Sequence, residues 1–317
     1  MTLKKSILFL IAFSTFFTSA VFAQGKVEGN VLRLKGGLLY GSLKTDIEKR
    51  TTFAGYFSRE LNQDWENTRG LSLLNNLGAD YFHSLGGGLL SNAFFGLQLN
   101  GFSRDYAWRS FYPLGVGIKE GTYSFNYNDL NFGVTLSLAD NFRILPKYVL
   151  RVTEQKMNGT YLGLGDPSYF GTQSVTSTGM SGLIGAGFEY DLTSNVTLFA
   201  DVLVYGPFLL RGRGKYDSEL IVLSDSGASY GVANGGYMFS SQKLSVGGNY
   251  EIIPKLRIFA SFDQERMDTK GESPTAFVLT NGVINTLASV GQYLGASNEE
   301  RIKISGAKFG LTYDLGM

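Results

Sequence analysis

Runs of alternating apolar and polar residues recur along the chain, and they are joined in turn by tight connections and by long polar segments. The clearest pair of runs lies between residues 182 and 206, on either side of the turn Thr193-Ser194-Asn195. Alternate residues of a β-strand point to opposite faces of a sheet, so each run predicts a strand with one apolar face. In the second run that face consists of Val196, Leu198, Ala200, Val202 and Val204.

The same pattern predicts about ten strands, which begin near residues 30, 70, 89, 122, 147, 180, 196, 237, 256 and 301, with Pro146 marking the start of the fifth. Short connections at 84–88, 140–146, 192–195 and 253–255 alternate with long ones at 46–69, 103–121, 157–180, 207–236 and 267–300. This alternation is typical of an all-β, antiparallel transmembrane β-barrel with short periplasmic turns and long extracellular loops.

Two of the long connections contain possible extra hairpins. One pairs Glu219–Leu223 with Tyr230–Ala233, and the other runs from Phe277 to Ile284 around Asn281-Gly282. If both hairpins reach the membrane, the strand count becomes twelve.

The first 23 residues have the three parts of a secretory signal peptide. Lys4 and Lys5 are basic, the next segment is mostly apolar, and Val21-Phe22-Ala23 suits signal peptidase. We therefore divide the chain into a signal peptide, 1–23, and an outer-membrane β-barrel, 24–317, with cleavage between Ala23 and Gln24. No later stretch approaches the roughly 18 consecutive apolar residues of a transmembrane helix.

The composition fits a membrane barrel and argues against several classes of function. The chain has 24 Phe, 18 Tyr and 41 Gly but 6 Pro, which suits strands whose backbone groups must pair with one another in lipid. It has no Cys, so disulfides and thiolate metal sites are excluded, and we expect neither a metal nor a cofactor. The formal charge of +1 indicates no basic surface for nucleic acid.

The C-terminal strand carries the most specific signal. Lys308, Gly310, Tyr313 and Leu315 occur in an order that resembles the C-terminal recognition signal of bacterial outer-membrane barrels. The terminal aromatic of that signal is missing here, and Gly316-Met317 extends beyond it. The resemblance implies that the barrel-assembly machinery recognises this strand and that outer-membrane lipid surrounds the folded protein.

Charged residues of both signs occupy the other faces of the predicted strands. Burying unpaired charges costs several kcal/mol each, so we expect an interior of ion pairs and water. A barrel of about ten strands leaves room for either a narrow channel or a solvated plug. The predicted lumen-facing charges are Lys147, Arg151, Lys243, Glu251, Arg257, Asp263, Glu265, Lys308 and Asp314.

In size and predicted strand number, residues 24–317 resemble the ten-stranded omptin and Opc-type barrels, in layout and not in motif. Omptin proteases use an Asp–His pair and an Asp pair near their extracellular end. The single histidine here, His83, is predicted at the opposite, periplasmic rim, and the omptin sequence signatures are absent. We therefore assign no catalytic residues and expect no enzyme.

Two functions remain open ahead of an outer-membrane enzyme, which ranks last. The first, which the sequence favours, is a small porin-like diffusion channel. The second is a surface protein that uses the barrel to mount loops for binding or adhesion, with an extracellular ligand that the sequence leaves unknown. The long connections contain Trp65 and Trp108 and the predicted protease-accessible positions Lys49, Arg50, Arg59, Arg213 and Lys215. An open lumen favours the channel, and a closed one favours binding.

Overall fold

A computed structural model describes residues 29–48, 72–86, 88–112, 115–165, 169–205, 212–224, 227–280, 283–284 and 299–316. The proposed signal peptide, its cleavage site at Ala23 and Gln24, and most of the first long connection lie outside these residues. Within the described ranges there is no helix of the length and apolarity that a membrane span requires.

The described chain consists of antiparallel β-strands joined in sequence order. The strands are β1 (Val31–Glu48), β2 (Ser72–Ser84), β3 (Leu90–Tyr112), β4 (Gly115–Ala139), β5 (Phe142–Gly165), β6 (Tyr169–Asp191), β7 (Val196–Tyr205), β8 (Arg213–Ser224), β9 (Gly227–Ile253), β10 (Leu256–Thr280), β11 (Val283–Ile284) and β12 (Glu299–Gly316).

The sheet closes on itself because β1 pairs with β12 along its whole length, from Val31 opposite Gly316 to Glu48 opposite Glu299. From β1 to β7 each strand pairs with the next in the chain. β9 pairs with β7, β8 and β10, and β10 completes the ring by pairing with β12. Closure satisfies the backbone hydrogen bonds that an open sheet edge would leave unpaired in lipid. The predicted all-β antiparallel barrel is confirmed.

One position of the barrel is filled by two strands in succession. The lower half of β6 pairs with β7, up to Leu183 opposite Tyr205, and its upper half pairs with β8, from Met180 opposite Arg213. On the other side β9 also pairs with both. β7 and β8 therefore run in the same direction and form one interrupted barrel strand, so the described barrel has ten strand positions.

The outward face near the short turns is a band of exposed apolar residues, called here the lipid belt. Tyr190, Tyr250 and Tyr313 lie on it towards the short-turn end, as expected for an interfacial aromatic girdle. The opposite limit of the belt is marked by outward-facing ion pairs, Glu154 with Lys156 and Arg266 with Asp268. The belt includes Leu38, Leu77, Leu97, Phe132, Leu198, Val202, Val246, Ile258, Phe262 and Leu311.

Beyond the belt, seven strands continue upward as a tall wall formed by the outer halves of β3, β4, β5, β6, β8, β9 and β10. The connections predicted as long loops at 103–121 and 157–180 are therefore mostly strand here, with β3 and β4 paired as far as Tyr112 opposite Gly115. Both predicted extra hairpins are present, as β8–β9 and β10–β11. They lengthen the wall and add no barrel position, so the count stays at ten.

The fifth strand begins earlier than predicted. β5 starts at Phe142, directly after the turn at Asp140 and Asn141, and Pro146 lies inside it. Pro146 is not paired with β4 in the ladder between β4 and β5, as expected for a residue that has no backbone N–H to donate. The prediction that Pro146 marks the start of the strand was wrong because a single missing donor is tolerated within a long ladder.

Candidate functional site

The floor of the lumen, at the short-turn end, is a network of ion pairs. Arg33 donates to both carboxylate oxygens of Asp314, at 2.8 and 3.1 Å. Arg257 lies 3.2 Å from Asp314 and also donates to Glu251 at 3.2 Å. This pairing joins β1, β10 and β12 at the point where the barrel closes, so the network ties the first and last strands together.

A second part of the floor is formed by Arg143 on β5. Its guanidinium donates to both oxygens of Asp191, at 2.6 and 2.7 Å, and to Glu189 at 3.0 Å. Bidentate contacts between a guanidinium and a carboxylate are the strongest ion pairs available to side chains. The floor is therefore held in a fixed geometry from both sides of the barrel.

Above the floor lies a small polar chamber of about 180 Å³. Lys35 pairs with Asp80, and Lys147 lies 2.6 Å from Asp201. Asp263 accepts hydrogen bonds from Ser245 and Ser261, at 2.5 and 2.7 Å. Lys243 and Lys308 also line the chamber, and Lys308 lies 5.5 Å above the ring of Phe259.

The chamber is closed above by a plug centred on Arg151, whose side chain has no exposed surface. Arg151 donates twice to Asp129 at 2.7 Å, once to Ser241 at 2.7 Å, and once to Glu265. These partners lie on β4, β9 and β10, so one guanidinium spans the barrel from wall to wall. Its carbon Cζ also lies 4.5 Å from the centre of the Tyr127 ring.

Buried apolar side chains lie next to this level of the lumen. Val149, Leu183 and Leu203 form a buried cluster beside Arg151, with 0 to 3% of their surface exposed. A further layer towards the tall wall is also buried, and it consists of Phe125, Phe239, Met267, Ile302 and Ile304. Burial of Arg151 and of these apolar side chains indicates that described residues occupy the centre of the lumen at this level.

The structure places the nine charges predicted from sequence in the interior, but at different heights. Glu251, Arg257 and Asp314 belong to the floor, and Arg151 and Glu265 to the plug. The remaining four, Lys147, Lys243, Asp263 and Lys308, line the chamber.

Sequence reasoning missed several partners of these nine charges. The missed residues include Arg33, Arg143, Asp191 and Asp129. Asp129 could have been found, since it alternates with the apolar residues Leu130 and Phe132 of the same strand.

The residues of the C-terminal signal have a packing role in the barrel. Tyr313 and Leu315 face outward in the lipid belt, whereas Lys308 faces the chamber. A Cβ atom added at Gly310 would lie 2.6 Å from two ring carbons of Phe259 and would also overlap the carbonyl oxygen of Gly36. Glycine at this position lets the Phe259 ring lie flat against β12 beneath Lys308.

His83 lies at the short-turn end of β2, where it is exposed and stacked on Tyr81 at 6.5 Å between ring centres. It therefore lies at the opposite end of the barrel from the tall wall. Among the described residues there is no group of three or more His, Asp or Glu side chains that could hold a metal ion.

The tall wall presents an outer surface beyond the lipid belt. The register of β5 with β6 is unbroken from Phe142 to Gly163, so residues that share parity with belt residue Val152 face outward along the whole strand. The pair Glu154–Lys156 begins this polar region, and the hydrogen bond from Lys156 lowers the pKa of the Glu154 carboxyl.

An open groove of about 500 Å³ crosses four strands higher on this surface. Its residues form two rows in register. One row runs Thr122, Asn158, Ser174, Glu219, and the next runs Glu120, Thr160, Thr172, Ile221. Directly beyond them lies an apolar row of Leu162, Phe170 and Leu223, which are 43, 48 and 52% exposed.

The chain matches no protein-family model and no curated protein. Among solved structures it is similar to the outer membrane protease OmpT from Escherichia coli, with 12% identity, 94% of this chain and 99% of that chain covered, and a TM-score of 0.46. It is also similar to the Pseudomonas putida toluene transporter TodX, with 11% identity, 92 and 91% coverage and a TM-score of 0.34. A Pseudomonas aeruginosa FadL homologue matches at 11% identity, 92 and 91% coverage and a TM-score of 0.30. These likenesses concern the barrel fold alone.

Proposed function

We propose that this protein resides in the outer membrane, that it does not conduct solutes or catalyse a reaction, and that it binds an extracellular ligand through its tall wall. The proposal makes the outer-membrane lipid and the barrel-assembly machinery its partners during insertion. The lipid belt and the paired floor support a membrane location, because an apolar exterior around a polar interior is stable only in lipid.

The observation that carries the proposal is the plug. Arg151, Asp129 and Glu265 are almost fully buried, and Val149, Leu183 and Leu203 fill the space beside them. A diffusion channel needs a continuous path for water, and moving a paired buried charge out of this layer would cost several kcal/mol. The closed cross-section therefore favours the binding protein over the porin-like channel that the sequence favoured.

The tall wall supports the proposal that the protein binds an extracellular ligand. Strands such as β4 and β5 continue far beyond the lipid belt, and their neighbours pair with them on both sides. A wide paired sheet holds side chains in fixed positions, which lowers the entropy lost when a ligand binds. The position of His83 at the opposite end supports a binding role over an enzyme at this surface.

Conductance in planar lipid bilayers tests the closed lumen. The wild-type protein should give no discrete current steps. A variant with Arg151→Ser, Asp129→Asn and Glu265→Gln removes the plug charges together and leaves none of them unpaired. It should give small steps once Phe125→Ala and Phe239→Ala also shorten the buried apolar side chains above it. Regular steps from the wild type would overturn the proposal in favour of a channel.

A second measurement tests the tall wall. Fluorescent liposomes that carry the protein should be retained on bacterial or animal cell layers. Retention should be lost when residues 219–232, the tip of the β8–β9 hairpin, are replaced by an Asn-Gly turn. The trimmed variant must remain folded and non-conducting, and equal retention of both proteins would contradict a role for the wall.

A further inference from the structure

We infer that the groove on the outer face of the tall wall binds a neutral or amine-bearing oligosaccharide, an inference that rests on the proposed binding function. The groove is built from the hydroxyls of Thr122, Thr160, Thr172 and Ser174 and the amide of Asn158, with Glu120 and Glu219 at its two ends. Of the side chains that line the groove, only that of Ile221, at one corner, is apolar.

The hydrogen-bonding groups of the groove match those of a sugar chain. Serine and threonine hydroxyls both donate and accept, and the carboxylates accept only. The Thr160 hydroxyl already donates to the Glu120 carbonyl oxygen at 3.4 Å, so it offers a ligand only its lone pairs. Sugar hydroxyls both donate and accept, so a row of hydroxyls flanked by acceptors matches a chain of sugar units. Desolvation and the nearby carboxylate of Glu219 raise the pKa of the Tyr230 hydroxyl, which places Tyr230 beside Glu219 at the groove edge.

The length of the groove suits an extended ligand. Glu120 on β4 and Glu219 on β8 are separated by three strand spacings, or roughly 14 Å at about 4.8 Å per strand. A metal ion needs ligands within about 2–2.6 Å, so these two carboxylates cannot share one. The spacing instead suits an extended ligand of several units.

The apolar row beyond the groove offers a surface on which sugar rings can pack. Phe170 is 48% exposed, with Leu162 and Leu223 on either side in register. Sugar rings have apolar C–H faces that pack on aromatic rings while their hydroxyls bond to polar groups nearby. The ligand would therefore lie across both the hydroxyl rows and the apolar row.

Charge and backbone pairing argue against anionic sugars and against a peptide that adds to the sheet as a strand. Two carboxylates at the ends of the groove repel phosphate, sulfate and carboxylate groups, so phosphorylated and sialylated sugars should bind poorly. An extended peptide could not add to the sheet here, because β5 and β6 are each paired along both edges at this height.

The test uses the full-length protein in detergent or nanodiscs on an array of neutral, amino, phosphorylated and sialylated oligosaccharides. Neutral or amino sugars should be bound, and the pair of changes Thr172→Val and Ser174→Ala should weaken binding by about tenfold, as expected for losing one or two hydrogen bonds. Ser103→Ala, an exposed position on the outer face of β3, is the matched control and should change nothing.

A specificity readout separates recognition from folding. Glu120→Gln with Glu219→Gln should admit phosphorylated or sialylated sugars that the wild type rejects. Comparing purified lipopolysaccharide with its delipidated oligosaccharide identifies whether a membrane glycolipid or a free glycan supplies the sugar. Absence of binding to every neutral and amino sugar, or unchanged selectivity in the glutamine variant, would overturn the inference. If liposome retention still depends on residues 219–232, the proposed function survives that result.

Discussion

At the scale of single residues, the interior is organised by arginines that each serve more than one carboxylate. Arg151 joins three strands through Asp129, Ser241 and Glu265, and Arg143 holds Asp191 and Glu189 together. Arginine suits this role because its planar head offers several donors in fixed directions. A lysine at position 151 would supply charge without the same geometry.

Gly310 provides a residue-scale prediction about the C-terminal strand. Gly310→Val should destabilise the folded barrel by at least about 1–3 kcal/mol, because the new side chain overlaps the backbone carbonyl oxygen of Gly36 and presses on Phe259. Urea unfolding in lipid vesicles measures this change. Phe259→Ala combined with Gly310→Val should recover part of the loss.

The matched control is Phe259→Ala alone, which measures the cost of the missing ring. If the double variant is no more stable than Gly310→Val, packing against Phe259 is not the reason for the glycine. Loss of insertion in cells together with normal folding into vesicles would instead point to recognition by the assembly machinery.

At the scale of the strands, the part of the fold in contact with lipid could be predicted from sequence and the tall wall could not. Between Leu198 and Val204 one face meets lipid and the other meets the lumen, so the sequence alternates. Both faces of β8 lie beyond the lipid belt. The segment from Arg213 to Asp217 therefore lacks the alternating apolar pattern that predicts a strand. The candidate groove was missed for the same reason, since Thr and Ser can occupy either a strand or a loop.

The strand assignment also changes the expected protease sites. Arg213 and Lys215 lie in β8, and each pairs with both β6 and β9. Trypsin binds a locally unpaired chain, so these two positions should resist cleavage on intact cells. Lys49, Arg50 and Arg59 lie outside the described residues and remain predicted cleavage sites.

Mass spectrometry of peptides released from intact cells distinguishes these positions. Heat-denatured protein, cleaved at all five basic residues, serves as the control for sequence preference. Cutting at Arg213 or Lys215 before any other site would contradict the paired β8–β9 hairpin, and cutting at the short turns would reverse the orientation of the barrel.

At the scale of the whole molecule, the export prediction concerns residues that precede the first described strand. We expect cleavage after Ala23, because Val21-Phe22-Ala23 follows a short apolar core and suits signal peptidase. Intact-mass analysis of protein extracted from the outer-membrane fraction should give a chain that begins at Gln24. Ala23→Asp should block processing, and a full-length chain in the wild type would contradict the signal peptide.

The plug has a consequence for the bacterium as well as for the barrel. Each added copy of a general diffusion porin makes the cell envelope leakier, so its abundance is limited by the toxic compounds that it admits. Under the proposed function, a barrel blocked at Arg151 would carry no such penalty. The cell would then be able to cover its surface densely with this protein and keep its resistance to detergents and large antibiotics, so the copy number would follow the demand for binding.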